Sequence, residues 1–228
     1  MFSDFVSLIF PESCQGCNET LQKGEKLICA NCRYELPKTN NHLLDNNDLE
    51  KKFWGKVSVK RVLSFLKFHK GGKVQNLIHQ LKYGGQEELG RLLGEWYGLE
   101  LYASSKLSES KLVVPVPLHK SRLKKRGYNQ SDSFAEGLSR SLQIEWKPDV
   151  LERLDKSTTQ TDKSRFSRWE NVNRVFQLRK GVDVLEKNIL LVDDVITTGA
   201  TLEECARALL NGGAREVSIA TIASAEYK

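Results

Sequence analysis

Asp193 and Asp194 stand side by side at the end of the apolar run Ile189-Leu-Leu-Val192, and the hydroxyl-rich turn Thr197-Thr198-Gly199-Ala200-Thr201 follows at once. Together these residues suit a sugar phosphate. Carboxylates accept hydrogen bonds from vicinal ribose hydroxyls and influence a bound Mg²⁺, directly or through water. The turn offers threonine hydroxyls, and the helix it opens offers unpaired N–H groups and a positive dipole end to a phosphate monoester. Gly199 has no Cβ to obstruct the approach of the backbone. A helix cap made by Thr201 with Glu204 explains those two residues but neither the acidic pair nor Thr197-Thr198-Gly199. A Walker A loop is excluded, because no Gly-Lys-Ser/Thr follows a glycine-rich run.

Two further groups of residues carry chemistry. Cys14-x-x-Cys17 and Cys29-x-x-Cys32 are separated by eleven residues, a spacing that brings four thiolates within reach of one tetrahedral zinc ion. With no thiol left over, the site reads as closed and structural. Cys205 falls on the apolar face of a later helix and is expected in the core. The stretch from Lys111 to Gln130 contains Lys111, Lys120, Arg122, Lys124, Lys125 and Arg126 with no acid, so one loop accounts for the whole formal charge of +6. Such a loop binds pyrophosphate, nucleic acid or an acidic partner, and composition does not choose among them.

These residues need a scaffold. Ile189 to Val192 reads as a strand buried on both faces, ending at the acidic pair, and the helix Leu202 to Asn211 follows. Leu112 to Pro117 is a second strand, Glu216 to Ile222 a third, and Val57 to Phe68 a strand or hairpin. Helices are expected around Val74 to Leu81, from Glu87 to about Ala103 with Leu89, Leu92, Leu93, Trp96 and Leu99 inward, and from Ser131 to Leu142. Shorter extended pieces lie at Asp149 to Leu154 and Val175 to Leu178. Strands alternating with helices give an α/β fold with a mostly parallel sheet, in which ligands bind beyond the carboxyl ends of the strands. Residues 1–36 read as the metal module, 37–52 as a polar linker and 53–228 as the ligand-binding domain. At 39% hydrophobic and 28% charged the composition is that of a soluble globular protein. Residues Met1 to Phe10 are apolar but carry Asp4 and no Lys or Arg, which argues against a signal peptide. No run has the length needed to span a bilayer, so no membrane insertion and a cytoplasmic location are expected.

The segment Leu190 to Thr201 resembles the phosphoribosyl-pyrophosphate (PRPP) motif of type I phosphoribosyltransferases. With the four cysteines, Leu81-Lys-Tyr-Gly-Gly85, Val114-Pro-Val-Pro-Leu-His119, Arg126-Gly-Tyr-Asn-Gln130, Gln160, Arg168 and Asn171-Val172, nearly the whole chain resembles the ComF family of competence-protein or GntX-like relatives. That resemblance implies a type I phosphoribosyltransferase-like domain behind an N-terminal zinc finger. It maps Asp193 and Asp194 to the ribose and Mg²⁺ contacts and Thr197, Thr198, Gly199, Ala200 and Thr201 to the 5′-phosphate loop. Lys120, Arg122, Lys124, Lys125, Arg126 and Gly127 fall in the pyrophosphate loop. Lys156 to Asn173 resembles a flap, with Gln160, Arg168 and Asn171 to order it or touch DNA. The implied role is uptake or handling of single-stranded DNA in natural transformation, with PRPP or a related ligand, single-stranded DNA and a competence helicase or recombination protein as partners. The alternative is a salvage-type transferase that moves phosphoribosyl from PRPP to a nitrogenous base. With only six residues after Ile222 there is little for a C-terminal element that reads such a base, so binding is favoured over turnover. Phe53, Trp54, Tyr128 and Trp169 are candidates for stacking on bases, and core packing is their commoner fate.

Overall fold

Continuous apolar runs become strands here because each can be buried on both faces. The computed structural model describes residues 12–154 and 175–225. The expected flap residues Gln160, Arg168 and Asn171, together with Trp169, lie outside them. The strands are β1 (Val62–Phe68), β2 (Leu112–Pro115), β3 (Glu145–Trp146), β4 (Leu151–Arg153), β5 (Phe176–Leu178), β6 (Asn188–Ile196) and β7 (Glu216–Ala225). Five of them form one sheet in the order β1-β7-β6-β2-β3, every neighbouring pair parallel, and β4 pairs antiparallel with β5 apart from it. Alternation along β6 divides the interior. Leu190 and Val192 join a core that holds Leu77, Leu93, Phe134 and Leu138, whereas Ile189 and Leu191 join a second core with Leu202, Cys205 and Leu209. Cys205 is fully buried there, as its helical position predicts.

The first core is covered by α3 (Lys73–Tyr83), α4 (Glu87–Ser104) and α6 (Gln130–Leu142), and the second by α7 (Ala200–Asn211). Two short helices, α1 (Ala30–Glu35) and α2 (Asp48–Lys51), precede them, and α5 (Lys120–Arg126) lies between α4 and α6. On α4 the expected inward face is partly wrong. Leu99 is 59% exposed, and the helix instead turns Leu89, Leu93, Tyr97 and Leu101 inward together with Gly90, Gly94 and Gly98. Those glycines form a stripe at four-residue spacing pressed against α6. A Cβ on Gly94 would lie 2.9 Å from Gly137 Cα, and one on Gly98 would lie 2.7 Å from Ser141 Cβ. Closest backbone approach, not greatest hydrophobicity, sets which face of α4 meets its neighbour.

Other elements differ in extent. Residues 57–61 do not join β1, which is a single edge strand and not a hairpin. β2 stops at Pro115, and β3 is a two-residue strand that the sequence did not signal. β7 continues three residues beyond Ile222 because the β1 and β6 ladders both extend beside it. Residues 37–52 carry structure of their own along the free edge of β1. Lys38 bridges Leu66, and the side-chain amides of Asn41 and Asn47 donate to the Val62 carbonyl at 3.3 and 3.1 Å. Their polar composition supplies partners to an exposed strand edge. No helix among the described residues is long and apolar enough to cross a membrane.

Candidate functional site

The acidic pair lies within β6 and not just beyond it. Asp193 is in register with Thr221 of β7, and the paired strand runs on to Ile196. Asp193 Oδ1 accepts from Ser131 Oγ at 2.8 Å and from the Asp194 backbone N–H at 2.8 Å. Asp194 Oδ2 meets Lys82 Nζ at 2.8 Å, with side-chain exposures of only 15% and 23%. Burial and the adjacent Asp194 charge push the Asp193 carboxyl up to about 7, against the opposing pull of Ser131, the Asp194 N–H and Lys82. The pair thus combines one carboxylate balanced by a lysine with one that resists ionisation. A divalent cation or ribose hydroxyls would relieve both conditions.

The turn that follows β6 is built differently from the cap expected for it. α7 begins at Ala200, two residues early, with Gly199 at its N-cap in the left-handed region (φ 86°) and no side-chain cap. Thr201 therefore sits inside the first turn, so the Thr201–Glu204 capping box does not form. Among the opening amides, the Ala200 N–H donates to Thr198 Oγ1 at 3.4 Å. Thr197, Thr198, Ala200 and Thr201 face solvent while Gly199 is buried. A Cβ at Gly199 would lie 3.1 Å from Phe53 Cζ, and Lys52 Nζ donates to the Thr197 carbonyl at 3.1 Å. The end of the 37–52 segment and Phe53 thus support the turn from behind. Phe53 is a buried prop and not a stacking surface, whereas Trp54 beside it is exposed.

The basic loop is largely a helix. Lys, Arg and Leu favour α5, His119 caps it by accepting from the Ser121 N–H at 3.2 Å, and Gly127 ends it at φ 83°. Arg122, Lys124 and Lys125 are exposed and pair with no carboxylate among the described residues. The following motif joins the surrounding parts. Arg126 Nη1 donates to Gln130 Oε1 at 2.6 Å, Tyr128 OH donates to the Leu81 carbonyl, and Asn129 Nδ2 donates to the Val116 carbonyl at 3.0 Å. Asn129 also caps α6, which places Ser131 in its first turn against Asp193. Because β2 and β6 are neighbours, α5 leaves the sheet beside the strand end that carries the acids.

Cys14, Cys17, Cys29 and Cys32 place their four sulfurs within 4.8 Å of one another. Tetrahedral zinc–thiolate geometry needs sulfurs about 3.8 Å apart, and Cys17 and Cys29 lie at 3.8 Å. Cys14 Sγ accepts from the N–H of Cys29 at 3.2 Å and of Gly16 at 3.4 Å, and Cys29 Sγ from that of Cys32 at 3.4 Å. A Cβ on Gly16 would lie 3.2 Å from Cys32 Sγ, a tight contact that would press on the sulfur cluster. These are the donors and spacing of a four-thiolate metal site.

Ser131 and the Lys82–Asp194 pair are the contacts that sequence did not supply. Lys82 stood in a recognised motif without a partner, and nothing in spacing tied Ser131 to an acid 62 residues away.

Residues 129–227 match the phosphoribosyl transferase domain family. The chain is 31% identical over 209 residues to the DNA utilization protein YhgH of Escherichia coli (strain K12), covering 90% of this chain and 87% of that protein. It is 29% identical to Competence protein F of Haemophilus influenzae, covering 93% and 90%. Competence protein ComFC of Streptococcus pneumoniae is 28% identical, with 95% and 90% covered.

Proposed function

The chain belongs to the ComF family, with a phosphoribosyltransferase-type parallel sheet, and from that membership we propose that it handles single-stranded DNA in natural competence or DNA utilization and keeps a site for PRPP or a related phosphoribosyl ligand. One observation carries the reading. The acidic pair, the start of α7 and the exposed Arg122, Lys124 and Lys125 of α5 lie around the carboxyl edge of two neighbouring strands, with Lys82 on Asp194.

In this reading Asp193 and Asp194 receive the ribose hydroxyls and Mg²⁺, and Thr197, Thr198, Gly199, Ala200 and Thr201 receive the 5′-phosphate. Lys120, Arg122, Lys124, Lys125, Arg126 and Gly127 face the pyrophosphate. Mg²⁺, when bound, neutralises charge on the pyrophosphate oxygens. Lys82 holds Asp194 in place and hands it over as the ligand arrives. Cys14, Cys17, Cys29 and Cys32 hold a structural zinc in a module of residues 1–36, joined through 37–52 to the ligand-binding domain 53–228. The partners are single-stranded DNA and a helicase or recombination protein in the cytoplasm. Salvage transfer to a free base is disfavoured, since the relatives are named for competence and DNA utilization.

Single-stranded oligonucleotide binding, measured across a salt series, tests the DNA reading. Each phosphate contact contributes about 0.7 to the slope of log affinity against log salt. Reversing Arg122, Lys124 and Lys125 to Glu should weaken binding and flatten that slope by about 2. Unchanged affinity and slope would reject it.

A further inference from the structure

The register of α3 decides what its last turn can do. Val74, Leu77, Ile78 and Leu81 are buried, so His79 and Tyr83, four residues apart, share the face turned to solvent. Tyr83 is 60% exposed, and the two glycines after it add no side chain beyond its ring. Two ring contacts nevertheless restrict it, and a hydrogen bond from Tyr128 fixes the helix turn that carries it. The His79 ring lies 5.0 Å from the Tyr83 ring, tilted by 48°. The Arg126 guanidinium carbon lies 5.3 Å from the Tyr83 ring centroid, and Arg126 is itself fixed by buried Gln130. Tyr128 ties the turn after α5 to the carbonyl of Leu81.

The location is as informative as the geometry. One residue before Tyr83, Lys82 reaches Asp194. On the other side Arg126 belongs to the cationic helix α5. An exposed, preorganised aromatic flanked by planar cationic and imidazole groups, between a phosphate-binding helix and an acidic pair, presents a flat face beside the phosphate site. Stacking of bases on aromatics is sequence-tolerant, and arginine adds a cation–π contribution. Nothing in the acid pair, turn or basic helix reads a base, and this surface supplies the missing complement.

We propose that Tyr83, held by His79 and Arg126, is a stacking platform for an aromatic base whose phosphates lie along α5. The proposal rests on the function proposed above and deepens it. The base has two possible sources, a single-stranded nucleic acid or a free nucleotide.

Fluorescence anisotropy with a short all-thymine oligonucleotide, with an abasic strand of equal length and charge, and calorimetry with thymidine 5′-monophosphate distinguish them. Tyr83→Ala should lower affinity for the thymine strand roughly 5- to 100-fold. Tyr83→Phe should bind like the parent, and Tyr83→Leu, which keeps bulk without a flat face, should bind like Tyr83→Ala. The abasic strand should bind more weakly and be indifferent to all three changes. If only the monophosphate loses affinity in Tyr83→Ala, the platform stands and its base comes from a free nucleotide. If the parent binds no oligonucleotide, the DNA reading fails and the monophosphate arm still decides the platform. Equal binding of parent and Tyr83→Ala in both arms would overturn the platform while leaving the DNA reading intact.

Discussion

A buried carboxylate set beside a second carboxylate resists ionisation, which makes Asp193 a source of pH dependence. Its folded-state carboxyl titrates at about 7 against an ordinary value of 3.8. Between those values the folded chain binds more protons than the unfolded one. The contribution to stability is therefore greatest below about pH 4 and falls as pH rises through 7. Asn resembles the protonated form and can accept from Ser131 and the Asp194 N–H through its own Oδ1. Asp193→Asn should raise Tm by roughly 2–4 °C at pH 8 and leave it unchanged near pH 4. A melting series in which both proteins shift equally at the two pH values would show that Asp193 is not held in this state. Much of this scale was legible in sequence: the acids, the threonines and the cysteines all announced themselves by type and spacing. Their partners did not. Lys82 and Ser131 reach the acids only because α3 and α6 converge on β6, a consequence of packing that leaves no local mark.

Among the elements, the α4–α6 contact tolerates least. Gly94 faces backbone on the opposite helix, so an added methyl group has no flexible side chain to displace. Gly94→Ala should lower stability by about 2 kcal/mol, within the range for overpacking a close interface. Denaturant unfolding that shows no change would mean that the helices separate freely there. The same contact explains where sequence reading failed. Periodicity marked α4 correctly over its length, but a hydrophobicity pattern ranks Leu99 above Gly98 as an inward residue, while a close helix crossing inverts that order. The basic stretch failed for a related reason. Its charge suggested a loop, yet Lys, Arg and Leu are good helix formers, and His119 and Gly127 supply both ends of α5. At the α7 start, Thr201 and Glu204 spelled a capping box, but Gly199 in a left-handed conformation took the cap position first.

For the whole molecule, the cysteine cluster is part of the same interior as the sheet. Cys14, Cys29, Cys32 and Leu36 share a core with Leu63 and Leu77, and Asn76 of α3 donates to the Gly16 carbonyl at 2.8 Å. Arg33 lies 4.6 Å over the Trp96 ring of α4, a further link from the module to the helical layer. Thiol modification or chelation should release about one zinc per chain, as a four-thiolate site requires, and lower the melting temperature in one cooperative transition. A metal-depleted protein with an unaltered melting curve would contradict structural coupling. The fold class was readable from alternating strands and helices, whereas the strand order and the docking of the module were not, because both depend on contacts between distant segments. The central claim, that the carboxyl edge of β6 holds a phosphoribosyl ligand, is tested most directly by calorimetric titration of PRPP in the presence of Mg²⁺. The parent should give saturable binding to one site per chain, and Asp193→Asn combined with Asp194→Asn should abolish it while the protein remains folded. No binding by the parent, or equal binding by the doubly substituted protein, would contradict the assignment.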